Sequence, residues 1–269
     1  MPAILPVDRR NALFTHSIVR RPAATIVDGI TTADLGRPDY ELALKQHDAY
    51  IEALERCGVD VTVLEADERY PDSCFVEDPA IVTERCAVIT RLGADSRRGE
   101  EEGIEAALRA RYAEADVRRV EAPGTVEGGD IMRAGNHFYI GLSARTNADG
   151  ARQMTEHLGS YGYTALTVPL REFLHLKTGL SYLEYNNLLV AGEFARAPAF
   201  AEFNRIVVPP QETYAANSIW MNGTVIVPAG YPGVEQKIRD LGYETIAVDV
   251  SEFRKIDGGL SCLSLRLPG

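Results

Sequence analysis

Near the end of the sequence, Gly258-Gly259-Leu260-Ser261-Cys262 sets a cysteine after a glycine turn, and Phe173-Leu174-His175-Leu176-Lys177 sets a histidine between leucines. Singly, neither demands chemistry. A free cysteine commonly behaves as an inert small hydrophobe, and a histidine flanked by leucine is more often a satisfied core residue than a catalyst. Two further segments are charged. Asp72-Ser73-Cys74-Phe75-Val76-Glu77-Asp78 places three carboxylates within seven residues, and Val126-Glu127-Gly128-Gly129-Asp130 places acids around a pair of glycines. An isolated acidic run is usually a solvated loop, but Phe75 and Val76 between the acids point to partial burial. Arg97 in SRRGE and Arg145 in GLSARTN add two cations whose ordinary place is the surface.

Together these residues fit one reaction. A thiolate at Cys262 can attack an electrophilic carbon. His175 can protonate a leaving amine and then activate water. Glu127 can hold the imidazole in its working orientation, as the third member of a triad does. Asp78 and Glu77 can grip a planar guanidinium through paired, charge-assisted hydrogen bonds. The arginines can take a carboxylate. The chain order Glu, His, Cys matches no protease spacing.

These residues need elements to position them. Short β-rich runs alternate with amphipathic helices. Strands are expected at Thr15–Val19, Val59–Leu64, Ala80–Val82, Ala87–Thr90, His137–Ile140, Asn187–Val190, Arg205–Val208, Val225–Val227 and Thr245–Val248. Helices are expected at Asp39–Cys57, Gly99–Tyr112, Asn147–Tyr161 and Pro232–Leu241, with Gly58 and Gly242 as C-terminal stops. For the first helix the expected apolar stripe is Leu42, Leu44, Tyr50, Ile51 and Leu54. HLKTGLSYL and RKIDGGLSCL are related segments, and a similar order restarts near Asp72, Glu127, His175, Tyr214 and Asp257. Intervals of roughly 40–55 residues are those of propeller-like repeats. Such units must pack around a common centre, so the special residues at their starts converge on one site.

Composition bounds the rest. The 269 residues are 45% hydrophobic and 25% charged, which is ordinary for a globular chain. The net charge of −11 argues against nucleic-acid partners and permits cationic ligands. No apolar run is long enough to span a membrane. The start, with Asp8, Arg9 and Arg10 after a short apolar stretch, does not read as a secretory signal, so a cytoplasmic protein is expected. Cys57, Cys74, Cys86 and Cys262 form no CxxC pair, which leaves a zinc knuckle or disulfide framework without support.

The segments DSCFVEDPAIV, ITRLGADSRRGE, VEGGDI, GLSARTN, HLKTGLSYL and KIDGGLSCL resemble those of the dimethylarginine dimethylaminohydrolase family, in the same order and over nearly the whole chain. The resemblance implies an α/β fold, the pentein α/β-propeller of five ββαβ-type units around a pseudo-fivefold axis, formed as one catalytic domain over 1–269. It implies hydrolysis of Nω-methylated L-arginine to L-citrulline and a methylamine, through a covalent thiouronium on cysteine. No cofactor and no metal are implied. By matching position, Cys262 is the nucleophile, His175 the proton donor and Glu127 the triad acid. Asp72 and the carbonyl of Ile30 would bind the substrate α-amino group. Members often carry Leu at the Ile30 position, which a backbone contact tolerates. Glu77 and Asp78 would line the guanidinium end, with Asp78 the direct partner. Arg97 and Arg145 would take the carboxylate, and Ile256 with Asp257 would close the site beside Cys262. The partner implied is a small methylated arginine, and similarity suggests a homodimer. A related pentein hydrolase or amidinotransferase acting on arginine, or a non-catalytic methylarginine binder, would carry an overlapping set of residues.

Overall fold

The computed structural model describes residues 13–269, so the N-terminal stretch weighed as a possible leader lies outside the described residues. The described chain forms five three-stranded sheets. The first contains β1 (Phe14–Arg20), helix α1 (Tyr40–Arg56) and β2 (Asp60–Leu64). The second is β3 (Ala80–Val82), β4 (Ala87–Ile89), α2 (Glu101–Arg109) and β5 (Val117–Arg119). The third is β6 (Ile131–Ala134), β7 (His137–Leu142), α3 (Ala148–Ser160) and β8 (Thr164–Pro169). The fourth is β9 (Leu180–Tyr182), β10 (Asn187–Val190) and β11 (Asn204–Val207), and the fifth is β12 (Ile219–Met221), β13 (Thr224–Pro228), α4 (Pro232–Asp240) and β14 (Glu244–Val248). A short helix α5 (Ser251–Arg254) then leads to β15 (Leu265–Pro268), which pairs antiparallel with β1 and completes the first sheet.

Every unit repeats one pattern. Its first two strands pair antiparallel, and a crossover brings the third in parallel to the second. First strands of neighbouring units touch, β15 with β3, β6 with β9, and β9 with β12. They are the buried strands, while the third strands β8 and β11 are largely exposed. The expected ring of five units is therefore the fold, with one difference. The fourth unit has no α-helix. Two short 3-10 turns, Gly192–Arg196 and Pro198–Phe200, take its place.

Apolar cores lie between neighbouring sheets rather than at the axis. Ile18, Ile89, Ile104 and Leu265 fill the gap between the first and second sheets under α2, and Val88, Phe138, Met154 and Leu158 fill the next under α3. Between the third and fourth sheets, where no helix is available, aromatic rings supply the bulk. Phe194 and Phe200 meet edge-on at 5.9 Å, and Phe173 stacks on Phe194 at 5.3 Å.

The helix ends follow from their residues. The Asp39 carboxylate accepts the Leu42 N–H at 2.9 Å and starts α1. Gly58, with φ +81°, ends it. The buried face of α1 corrects the expected stripe. It is Ala43, Gln46, His47, Tyr50, Ala53 and Leu54, whereas Leu42 is exposed. Gln46 can face inward because its amide reaches Asp249 and Ser251 at 2.8 Å.

Candidate active site

Antiparallel pairing brings the start of a unit's first strand and the end of its second strand to the same end of the sheet. That geometry gathers the site. Asp72, Glu77 and Asp78 precede β3, Glu127 precedes β6, His175 precedes β9 and Cys262 precedes β15. Ile30 follows β1, Arg97 follows β4 and Arg145 follows β7. Residues scattered over the whole sequence thus meet at one end of the ring.

One pocket there is lined by Cys262, His175, Glu127, Asp78, Asp72 and Arg97. Ile30, Arg145, Ile256 and Asp257 border it as well. The imidazole and the Glu127 carboxylate are 2.8 Å apart. The same carboxylate accepts the Gly93 and Ala94 N–H groups at 3.0 and 3.4 Å, so its orientation is fixed from both sides. Burial alone would push His175 down, but the hydrogen bond to Glu127 and the charges of Asp130 and Asp78 raise it to about 9. In the other direction, burial and the carboxylates of Asp78 and Glu77 push the Cys262 thiol up to about 12. Both shifts favour an imidazolium at His175 and a neutral thiol at Cys262.

Arg97 is buried between two acids. It donates to Asp78 at 2.8 Å and to Glu100 at 2.9 Å, and its guanidinium lies 6.0 Å from the Phe75 ring centre. Burial opposes the ionised form of Asp78, yet Arg97 and His175 hold its carboxyl below the ordinary range. Arg145 is less engaged, 3.8 Å from Glu127. Asp72 accepts the Ile30 N–H at 3.2 Å, and Asp257 accepts the Thr32 N–H at 2.6 Å and its hydroxyl at 2.9 Å. These two acids pin the 29–32 segment over the pocket, leaving about 30 Å³ inside.

Glu77 is the residue that the structure does not bring here. Its carboxylate pairs with Lys177 and Arg266. With Lys177 and Ser261 it lines a separate cavity of about 250 Å³. Asp78 and Cys262 line the first pocket while their chain neighbours Glu77 and Ser261 line this second cavity, so each pair straddles one wall. Asp78, Glu127 and His175 bring ligand atoms within 4.8 Å of one another. Each is already committed to a protein partner, Asp78 to Arg97 and Glu127 to His175, so the arrangement is an ion-pair network rather than an open metal site.

Three site-shaping residues carry no assignment in the sequence reading. Glu100 stands three residues after Arg97 in SRRGE, a spacing that signals the pair. Asp130 closes the VEGGD run. Asn217 accepts the Ser261 N–H at 2.9 Å and donates to the Lys177 carbonyl at 3.0 Å, tying the cysteine and histidine segments together. Nothing in the spacing of Asn217 announces that link.

Comparison with known proteins gives a consistent result. A model of the family described as N,N dimethylarginine dimethylhydrolase, eukaryotic, matches residues 36–194. The N(G),N(G)-dimethylarginine dimethylaminohydrolase of Pseudomonas aeruginosa is 60% identical over 94% of this chain and 100% of its own. A solved structure of that organism's enzyme, a Cys-to-Ser mutant complexed with citrulline, superposes with a TM-score of 0.94 at 59% identity, covering 95% of this chain and 100% of the other. A second, a His-to-Gly dimethylarginine dimethylaminohydrolase adduct with S-methyl-L-thiocitrulline, has a TM-score of 0.93 at 59% identity and covers 94% and 100%.

Proposed function

The chain belongs to the dimethylarginine dimethylaminohydrolase family, and from that premise we propose how its own residues carry the reaction. The protein is a pentein hydrolase that converts an Nω-methylated arginine to citrulline and a methylamine. We assign Cys262 as nucleophile, His175 as proton carrier and Glu127 as the acid that orients it. The observation that supports this best is the meeting of Cys262 with the His175–Glu127 pair and the Asp78 carboxylate in one pocket.

The charges set the order of events. A neutral thiol is a poor nucleophile, and a protonated His175 cannot take its proton. The substrate itself removes the difficulty. Its guanidinium beside Cys262 offsets the carboxylates that oppose a thiolate, and the thiol proton leaves to solvent. Sulfur then bonds to the guanidinium carbon. The C–N bond breaks as His175 delivers a proton to the departing amine, which cannot leave as an anion. A thiouronium remains on Cys262. The neutral imidazole next takes a proton from water, the water oxygen bonds to carbon, and the C–S bond breaks as the remaining hydroxyl proton passes to solvent, releasing citrulline and the thiolate. At the other end of the substrate, Asp72 and the Ile30 carbonyl take the ammonium, and Arg145 with Arg97 faces the carboxylate. Arg97 also keeps Asp78 ionised. Ile256 closes the wall beside the nucleophile. Glu77, on the far side of that wall, acts on the guanidinium only at a distance.

We further propose that residues 1–269 act as one catalytic domain and that the protein works in the cytoplasm, which its four free cysteines support. A homodimer is proposed on the family resemblance alone. The reaction needs no cofactor in this scheme. The test is a substrate panel with product identification. Dimethylamine or methylamine released beside citrulline, and lost in Cys262→Ser, is the expected result. Ammonia released from arginine alone would assign a deiminase, and binding without turnover would make the protein a sensor.

A further inference from the structure

Asp130 is buried directly behind the catalytic histidine, and no step of the reaction uses it. It ends the 3-10 turn Gly128–Asp130 whose first neighbour is Glu127, and it is fully inaccessible. One carboxylate oxygen accepts the Leu176 N–H at 3.0 Å, one residue after His175. The other accepts the Ser143 hydroxyl at 2.6 Å. Ser143 in turn receives the Arg145 and Thr146 N–H groups, at 3.0 and 3.1 Å. The Thr146 hydroxyl accepts the Glu127 N–H at 3.1 Å. Asp130 therefore closes a loop of bonds that runs from the histidine segment to Arg145 and back to Glu127.

Such a placement is costly unless it does something. A carboxylate without access to water is unfavourable unless its lone pairs are taken, and a neutral residue could accept one N–H as well. Burial raises this carboxyl above its ordinary range, and the charge of His175 with the bonds from Ser143, Thr146 and Leu176 pulls it back toward the ionised form. The groups facing His175 are Glu127, Asp78 and Asp130 as anions, with Arg97 countering the first two. Arg97 pairs directly with Asp78 and approaches Glu127 to 4.0 Å, and Asp130 has no such cationic partner among the described residues. Its charge is thus the least compensated of the three.

We infer that Asp130 is a positioning residue for the proton-carrying imidazole, fixing the backbone at Leu176 and supplying an uncompensated negative charge behind the His175 ring. The inference rests on the assignment of His175 as proton carrier, and its consequence is specific. Asp130 helps keep His175 charged until the amine leaves, in addition to the contact that Glu127 makes.

The test is Asp130→Asn, which keeps an oxygen for the Leu176 N–H and removes the charge. Imidazole NMR should show His175 titrating about one unit lower. Turnover with a methylated arginine should fall about tenfold with KM changed less than about twofold. The alkaline limb of the rate profile should move down with the NMR value. A purely structural role would lower stability and leave the His175 titration alone, and that outcome overturns the inference. Should the variant not fold, the unaltered protein still decides. The Asp130 carboxyl carbon should report a step at the His175 titration, and its absence would likewise overturn the inference. A fully active His175→Gly would instead sink the assignment of His175, while the NMR arms would still report on Asp130.

Discussion

At Cys262 the surroundings oppose the thiolate until a cation arrives, because burial, Asp78 and Glu77 all favour the neutral thiol. Alkylation by a neutral reagent such as iodoacetamide should therefore be slow at neutral pH in the free protein and still be rising at about pH 10. A plateau near pH 8 would mean the thiol is already activated at rest. Asp78 pairs with Arg97, and the proposed mechanism also sets the substrate guanidinium against it, so its removal would leave two cations short of a partner. Asp78→Ala should cost on the order of 2–5 kcal/mol in kcat/KM, and Asp78→Asn less. Equal losses would show that shape, not charge, matters there. Cys262, His175 and Glu127 are noticeable in the sequence only in combination, because each run by itself reads as an ordinary core residue or turn. Which way Glu77 points is not legible. An acid pair reads the same whether both side chains share a pocket or straddle a wall, and only the ion pairs with Lys177 and Arg266 distinguish the two cases.

Elements bring these residues together through tight approaches that only glycine allows. A Cβ on Gly128 would stand 2.0 Å from the Glu77 carbonyl oxygen, a backbone atom that cannot yield. A Cβ on Gly129 would meet the His175 ring at 2.9 Å and Asp78 at 3.1 Å, side chains that can shift. Gly128→Ala should fail to fold, whereas Gly129→Ala should fold with a displaced imidazole and lose about 100-fold in kcat. Circular dichroism with turnover on the two proteins checks the contrast, and similar behaviour of both would refute it. The 29–32 segment invites a second comparison. Asp72 and Asp257 hold that segment at the edge of the pocket. Asp257→Ala removes one of its two latches and should raise KM several-fold with kcat nearly kept, as steady-state kinetics would show. Among the elements, the helices and middle strands are legible through caps, stops and apolar runs, as α1 shows between Asp39 and Gly58. The first strands β9 and β12 are three residues each, too short to carry a readable period, and their place comes from the ring around them. The missing helix of the fourth unit has no sequence marker except the aromatic residues that replace its bulk.

Across the whole molecule, closure of the ring by β15 against β1 makes all five units depend on one another, so local strain is felt as global stability. His47 on α1 is the clearest such strain. It is fully buried near Phe253, with ring centres 6.4 Å apart, and neither ring nitrogen has a hydrogen-bond partner among the described residues. Burial, helped by Arg21, lowers it to about 4. The unfolded chain keeps the ordinary value of about 6.5. Between those two values the unfolded state binds the extra proton, so stability must rise with pH there. Read downward, the folded state is fully favoured above about 6.5 and loses up to about 3 kcal/mol by pH 4. His175 has the opposite sign. Its value is raised to about 9, so its contribution is complete below about 6.5 and is lost as pH rises through 9. The two histidines thus narrow the stable range from opposite ends. Urea unfolding of His47→Leu should show a flatter acid limb between pH 4 and 6.5 and an unchanged alkaline limb. An acid limb as steep as that of the unaltered protein would mean that buried carboxylates, not His47, govern acid unfolding.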